Sequence, residues 1–318
     1  MFPKSKKLAL TALASMSMLV SGSIVAQDKG LISIIVNDMS NPYWQTEGAI
    51  AERTAQELGY TANVSSHVGD TNTESNQVDT AITNGAEAII LDPANADGSI
   101  GAVRRAVDAG IPVFIINAEI NEQGLAKAQL VSNNAQGAAL GAQEWAMQLN
   151  GEGTYIELEG PPSDNNAATR SNGYETVLSQ YPDLTQVASD IANWDRTQGR
   201  NKMQSMLRSH PDINGVISGN DEMALGAIVA LKQEGLLDGV LVGGFDGSPD
   251  AVDAVRSGEL SYTVLQPVAV FAEDAVRIAD NYISTGETGL DNEKQLYDCI
   301  LITPDNVDDY IAPFVLKG

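Results

Sequence analysis

Amides, carboxylates and aromatic rings recur along this chain of 318 residues at one kind of place, just after a short apolar run rich in β-branched residues. Asn37-Asp38 follow the run Leu31 to Val36, with Asn41, Tyr43 and Trp44 close behind. Asp92-Pro93 follow Glu87 to Leu91, and Asn117 follows Pro112 to Ile116. In the second half Arg170 stands at a helix start, and Trp194-Asp195, Asn220-Asp221, Phe245-Asp246 and Gln266 follow further runs. Each hydroxyl of a polyhydroxylated molecule both donates and accepts, so Asp, Asn, Gln and Arg satisfy it in pairs while flat rings cover its C–H faces. A phosphate or carboxylate ligand calls instead for several cations or a glycine-rich helix start. Neither G-x-G-x-x-G nor G-x-x-x-x-G-K-[ST] is present. The set therefore fits an uncharged ligand.

Every member also has an ordinary role available to it. An Asn after a strand forms turns and caps helices, and Asp246 in Gly243-Gly-Phe-Asp-Gly247 can open a turn. Trp44 and Trp194 can be core or rim residues, and Arg170 a surface ion pair worth little. What singles them out is their joint placement at strand ends.

Catalytic patterns are missing from the sequence. There is no G-x-S-x-G elbow and no H-E-x-x-H pair, and Asp92 and Asp246 make a glycosidase pair only if the fold spaces them suitably. Two histidines, His67 and His210, and one cysteine, Cys299, are too few for a zinc site of His and Cys or for an intrachain disulfide. The expectation is no catalytic residue, no cofactor and no metal, although the count leaves carboxylate-bound calcium open. His67 and His210 read as loop or helix-end residues. Cys299, in Cys-Ile-Leu-Ile, reads as a small buried hydrophobe.

The elements that position these residues follow from length and patterning. The length suggests about two domains. With 18 basic against 42 acidic residues the net charge is −24, which repels a phosphate backbone, so nucleic acid is not an expected partner. Residues 1 to 26 read as a secretory signal peptide: Lys4, Lys6 and Lys7, an apolar run Leu8 to Val20, then small residues to Ala26. That run is short of the ~20 residues that span a bilayer. Cleavage near Ala26 removes those three lysines and no acid, takes the charge from −24 to −27, and places the mature chain in a periplasm.

From residue 31 onward strands and amphipathic helices alternate, the signature of βαβ units and an α/β fold. Strands are expected at 31–36, 61–66, 87–91, 112–116 and 128–132. Helices are expected from Asn41 to Leu58 and at 71–84, 96–109 and 134–149. The rhythm restarts with strands at 154–158, 185–189, 214–218 and 239–243 and helices at 166–181, 197–209, 222–234 and 249–257. A strand at 261–265, a helix at 269–284 and a last strand at 297–302 remain, and periodicity leaves open which half they join. In open parallel sheets ligands sit beyond the carboxyl ends of the strands.

Four segments carry a family resemblance: Ser40-Asn-Pro-Tyr-Trp44, Arg170-Ser-Asn-Gly-Tyr174, Asn220-Asp-Glu-Met-Ala-Leu-Gly226 and Gly244-Phe-Asp-Gly247. In order and spacing they resemble the periplasmic sugar-binding proteins of ABC importers, of the ribose-binding, type I kind, over essentially the whole mature chain. The resemblance implies two doubly wound parallel-sheet (Rossmann-like) lobes joined by a hinge of three crossings. An amino-terminal lobe of 27–133 plus 267–296 then faces a carboxyl-terminal lobe of 134–266 plus 297–318. It also implies a monomeric, non-enzymatic receptor that closes on a neutral monosaccharide or sugar alcohol and delivers it to permease subunits, with a chemotaxis or sensor receptor as a further reader. Under it Asn41 and Arg170 bond hydroxyls, Tyr43, Trp44, Trp194 and Phe245 pack ring faces, and Asn220, Asp246 and Gln266 complete the polar set.

The chain departs from the ribose pattern at Asn117-Ala118, where the family often has Asp-Arg, and at Asn37 and Asp92, where the ribose binder has other polar residues. Losing a charged pair removes charge-assisted bonds worth about 1.5–3 kcal/mol each, which favours another pentose or a small polyol over ribose. Two other classes share features with the chain. Sugar-responsive repressors of the lactose-repressor type have the same two-lobed core but an amino-terminal helix-turn-helix. A sugar-active enzyme would alter its ligand.

Overall fold

A computed structural model describes residues 29–311 and 314–317, so the export segment read at residues 1 to 26 lies outside the described residues. The first parallel sheet is built from β1 (Leu31–Val36), β2 (Thr61–Ser66), β3 (Ala88–Leu91), β4 (Val113–Ile116) and β5 (Ala128–Ser132). Helices α1 (Pro42–Glu57), α2 (Thr71–Thr83) and α3 (Ile100–Asp108) connect the first four of these strands. After α4 (Asn134–Gln148) a second sheet forms from β6 (Glu152–Glu159), β7 (Asp183–Ile191), β8 (Gly215–Ser218), β9 (Leu241–Asp246) and β10 (Tyr262–Leu265). Its crossovers are α5 (Asn165–Leu178), α6 (Arg196–Leu207), α7 (Asp221–Glu234) and α8 (Pro249–Ser257). The chain ends through α9 (Val268–Thr285), β11 (Lys294–Tyr297), β12 (Ile300–Ile302) and a short hairpin of β13 (Tyr310–Ile311) and β14 (Val315–Leu316).

Strand order is β11-β5-β4-β3-β1-β2 in the first sheet and β12-β10-β9-β8-β6-β7 in the second. Within these two sheets all pairings are parallel except β10 with β12. Parallel strands covered on both faces read as unbroken apolar runs, and Ala88-Ile-Ile-Leu91 and Val113-Phe-Ile-Ile116 are buried at every residue. The chain passes between the sheets three times: after β5, after β10 and between β11 and β12.

Several expected boundaries shift by two to four residues, such as the strand expected at 239–243, which is Leu241–Asp246, and two changes have a clear local cause. The single strand expected at 297–302 is two strands in different sheets. At the break, the Gln136 side chain of α4 accepts from the Cys299 N–H at 2.9 Å and donates to its carbonyl at 3.1 Å, taking the place of a strand partner. Helix α3 starts at Ile100 and not near 96, because Asn95 Oδ1 accepts from the N–H groups of Asp97 and Gly98 and folds that stretch into a turn. Cys299 is a free, buried thiol that burial pushes up to about 12.

Glycines set how closely α6 and α7 approach. A Cβ on Gly226 would stand 2.2 Å from the Arg196 carbonyl oxygen and 2.7 Å from Arg200 N, and one on Gly199 would stand 2.7 Å from Met223 Cα. Gly226→Ala is therefore expected to cost about 1–3 kcal/mol. Gly101→Ala on α3, where the new methyl meets open space, should stabilise by about 0.5–1 kcal/mol. Chemical denaturation of the two variants checks the contrast.

Candidate functional site

The carboxyl ends of the two sheets face one another across a cleft, and loops after the strands supply its walls. From the first sheet come Asn41, Tyr43 and Trp44 at the start of α1 and Asn117 after β4. Asn41 caps α1 by accepting from Tyr43 N at 2.9 Å, and Pro42 costs nothing in a first turn that has no partner for its N–H. The two rings are thereby fixed on the helix turn nearest the cleft.

The opposite wall is organised by Arg170. It lies in the second turn of α5, inside the helix, and its side chain is 4% exposed. Nε donates to Asn134 Oδ1 at 2.8 Å, Nη1 donates to the Gly219 carbonyl at 2.8 Å, and Nη1 stands 3.5 Å from Asp246 Oδ1. The guanidinium lies 3.9 Å over the Phe245 ring and 5.2 Å from that of Trp194. Asp246 Oδ1 also accepts from Gln266 Nε2 at 2.7 Å. Burial lifts the Asp246 carboxyl well above the usual range against the pull of Arg170.

Asn220 caps α7 by accepting from Met223 N and donates to the Trp194 carbonyl at 3.2 Å. The Trp194 indole N–H donates to Asp164 Oδ2 at 3.1 Å. Non-glycine residues with positive φ concentrate here: Asn117 (62°), Asn193 (52°), Trp194 (61°) and Asp246 (135°). Such conformations cost about 1–3 kcal/mol each and persist only where the surroundings over-determine them.

The walls touch directly. Asn166 Nδ2 donates to the Asn117 carbonyl at 3.2 Å, Asn165 Nδ2 to Asn121 Oδ1 at 2.8 Å, and Ala96 N to the Ser163 carbonyl at 3.0 Å. Between the polar groups remains a cavity of about 20 Å³, room for roughly one water. Outside it a wider cleft runs past Asn37, Val68, Ser163 and Asp195.

Nine of the twelve sequence candidates line the inner cavity: Asn41, Tyr43, Trp44, Asn117, Arg170, Trp194, Asn220, Asp246 and Gln266. The other three lie elsewhere. Asn37 stands on the outer cleft. Phe245, expected to face the ligand, is fully buried within β9 and packs under Arg170, because side chains alternate along a strand and Asp246 takes the cleft-facing position. Asp92 lies behind the wall, 1% exposed, its Oδ2 accepting from Asn117 Nδ2 at 2.9 Å while Asn117 Oδ1 accepts from the Tyr43 hydroxyl at 3.0 Å.

Sequence reasoning missed Asp164 and Asn166, which also line the cavity. Their signal was the run Ser163-Asp-Asn-Asn166 ahead of a helix, where Asp164 serves as the cap. His67, read from the sequence as a loop or helix-end residue, does lie in the loop after β2, and it is buried. His67 Nδ1 accepts from Gly69 N, so Nε2 carries the proton and donates to the Asp92 carbonyl at 2.8 Å.

Residues 32–288 match the model of the periplasmic binding protein domain. The chain belongs to the periplasmic binding protein family. It is 46% identical over 301 residues to the D-apiose import binding protein of Actinobacillus succinogenes, covering 94% of this chain and 96% of that one. To the xylitol-binding protein of Mycolicibacterium smegmatis it is 36% identical over 297 residues, covering 91% and 82%. Among solved structures, an ABC transporter periplasmic solute-binding protein from Actinobacillus succinogenes with bound D-allose aligns at a TM-score of 0.82 and 28% identity, covering 89% and 100%. One from Bacillus halodurans with bound myo-inositol gives the same score and identity, covering 89% and 97%. The two parallel-sheet lobes are those of the type I periplasmic binding proteins, as the four sequence segments imply.

In this family member the position of Trp194 depends on Gly160, where a Cβ would stand 2.1 Å from the indole Cη2. Gly160→Ala is expected to displace the ring, giving red-shifted tryptophan emission and easier acrylamide quenching. An unchanged spectrum would show that the indole does not depend on this gap.

Proposed function

We propose that this periplasmic binding protein of an ABC import system closes on a neutral five-carbon sugar or sugar alcohol, held by the cavity residues named above. The observation that carries this reading is the composition of the inner wall. Its cation, Arg170, already faces Asp246 and sits on Phe245, and the other polar groups turned to the cavity are amides, carboxylates and a phenol. An anionic ligand would meet Asp164 and Asp246 with no uncommitted positive charge, whereas hydroxyls can donate to those carboxylates and accept from Asn41, Asn220 and Arg170. Trp44 and Trp194 offer apolar faces from the two sides. The relatives named for D-apiose and xylitol point to five carbons.

The present cavity is too small for such a molecule, so entry requires the lobes to part. We read the three crossings as the hinge, with the ligand favouring closure by touching both lobes. We also read the receptor as a monomer that leaves its ligand chemically unchanged, is exported after cleavage near Ala26, and presents its closed form to permease subunits. We read a chemotaxis or sensor receptor as a further reader of that form.

A thermal-shift panel of D-apiose, D-ribose, xylitol, D-allose and myo-inositol tests the reading. A Kd near micromolar corresponds to about −8 kcal/mol, and ligand at about 100 times Kd adds roughly 2.7 kcal/mol to stability. D-apiose or xylitol should therefore raise Tm clearly, and a panel without a shift would sink the proposal. Asp246→Asn keeps the shape and the Gln266 contact but removes the charge that accepts hydroxyls. It should weaken binding at least about tenfold, roughly 1.4 kcal/mol, as read by calorimetry.

A further inference from the structure

Glu47 lies on α1 three residues beyond Trp44 and four beyond Tyr43, hence on the same helix face, and none of it reaches solvent. Neither carboxylate oxygen meets an N–H or O–H donor. The group beside it is another carboxylate, Asp92 at the end of β3, whose Oδ1 is equally without a donor. Two buried carboxylates in contact cannot both be charged without a cation, and the cheaper state keeps a proton on one of them.

We propose that Glu47 is a positioning residue of the binding site: it and Asp92 hold one proton between them, Glu47 donating and Asp92 accepting, and this bond fixes Asp92 beneath the cavity wall. The proposal rests on the sugar-binding reading of the cleft. Asp92 is the anchor of what lies above it, since its Oδ2 orients the Asn117 amide and Asn117 Oδ1 in turn receives the Tyr43 hydroxyl. The Trp44 side chain also faces the Asp92 carboxylate. One proton thus sets three residues that line the cavity.

The other charged and titratable groups nearby do not replace that proton. His67 donates only to the Asp92 backbone carbonyl, and burial keeps it neutral despite Asp70 beside it. Asp164 adds negative charge toward Asp92, and Arg170 is held by Asn134, Gly219 and Asp246. The Tyr43 phenol, between Glu47, Asp92, Asp246 and Arg170, is raised chiefly by burial and stays a neutral donor. Burial first, and then the charge of Asp92, raises Glu47. Burial raises Asp92 as well, chiefly against the pull of Asn117.

Loss of the shared proton would leave two anions in contact, push Asp92 off Asn117 and loosen the wall. Sugar affinity should therefore hold at neutral pH and fall at the alkaline end as the pair gives up that proton. The test is calorimetry with D-apiose and xylitol from about pH 6 to about pH 9.5, where Kd should climb about tenfold per unit at the alkaline end. Glu47→Leu, with no donor for Asp92, should bind weakly throughout. Glu47→Gln, whose amide donates and cannot ionise, should restore binding and flatten the profile. Asp92→Asn, which removes the charge from the other side, should flatten it too.

A flat profile in the unaltered protein, or the same alkaline slope in Glu47→Gln, would overturn the proposal. Infrared spectroscopy reads the proton independently of ligand. The buried carboxylic-acid carbonyl absorption that Glu47→Gln removes, read as a difference spectrum because other buried acids such as Asp246 are raised too, should be present near pH 6 and decline at the alkaline end, with Asp92→Asn as a second reference. No such difference against either variant would refute the shared proton. If neither sugar binds at any pH while the band behaves as described, the sugar reading fails and the carboxyl pair stands.

Discussion

A guanidinium almost wholly removed from water is the constraint around which this molecule is arranged. A buried charge is tolerated only where it is paired and hydrogen-bonded, and Arg170 obtains that from elements far apart in sequence: Asn134 at the start of α4, the Gly219 carbonyl after β8, and Asp246 closing β9. The faces of the same planar group are covered by Phe245 and approached by Trp194. Because the guanidinium is rigid, fixing its donors also fixes Asp246 and, through it, Gln266 at the crossing back to the first sheet. The strained backbone of Trp194 and Asp246 is held by these contacts.

Among the described residues the opposite wall carries no cation, and it is held by uncharged and shared-proton contacts. Asp92, Asn117 and Tyr43 form a relay of side chains beneath the cavity, braced from behind by His67. The two walls are joined by direct hydrogen bonds such as Asn166 to the Asn117 carbonyl and Asn165 to Asn121. Each is worth only about 0.5–1.5 kcal/mol net, since water replaces it readily. Such a seam opens at low cost, and a ligand that bonds both walls can bias it toward closure.

Much of this was legible from residue order. Unbroken runs such as Ala88-Ile-Ile-Leu91 announced buried parallel strands, and the Asn41-Pro42 and Asn220 caps announced helix starts at strand ends. Eight cavity residues followed from placement at strand ends and helix starts, while Arg170 lies inside α5 and is also named by the resemblance. Phe245 did not, because a ring at a strand end and a ring one residue earlier look alike until the pleat assigns faces. The division of 297–302 between two sheets was hidden because Gln136, far earlier in the chain, supplies the interrupting hydrogen bonds.

By itself, then, the sequence determined local matters: the α/β rhythm, the caps, the absence of phosphate-binding loops, and the types of group offered to a ligand. These depend on spacing and side-chain chemistry within a few residues. Only the tertiary structure decided which groups meet. It put Arg170 against Asp246, and it placed Glu47 beside Asp92 with no cation between them. In the sequence Asp92 stands out only as an acid after a strand, and Glu47 not at all. Burial makes them a pair, because desolvation and the distance between charges are properties of the folded chain.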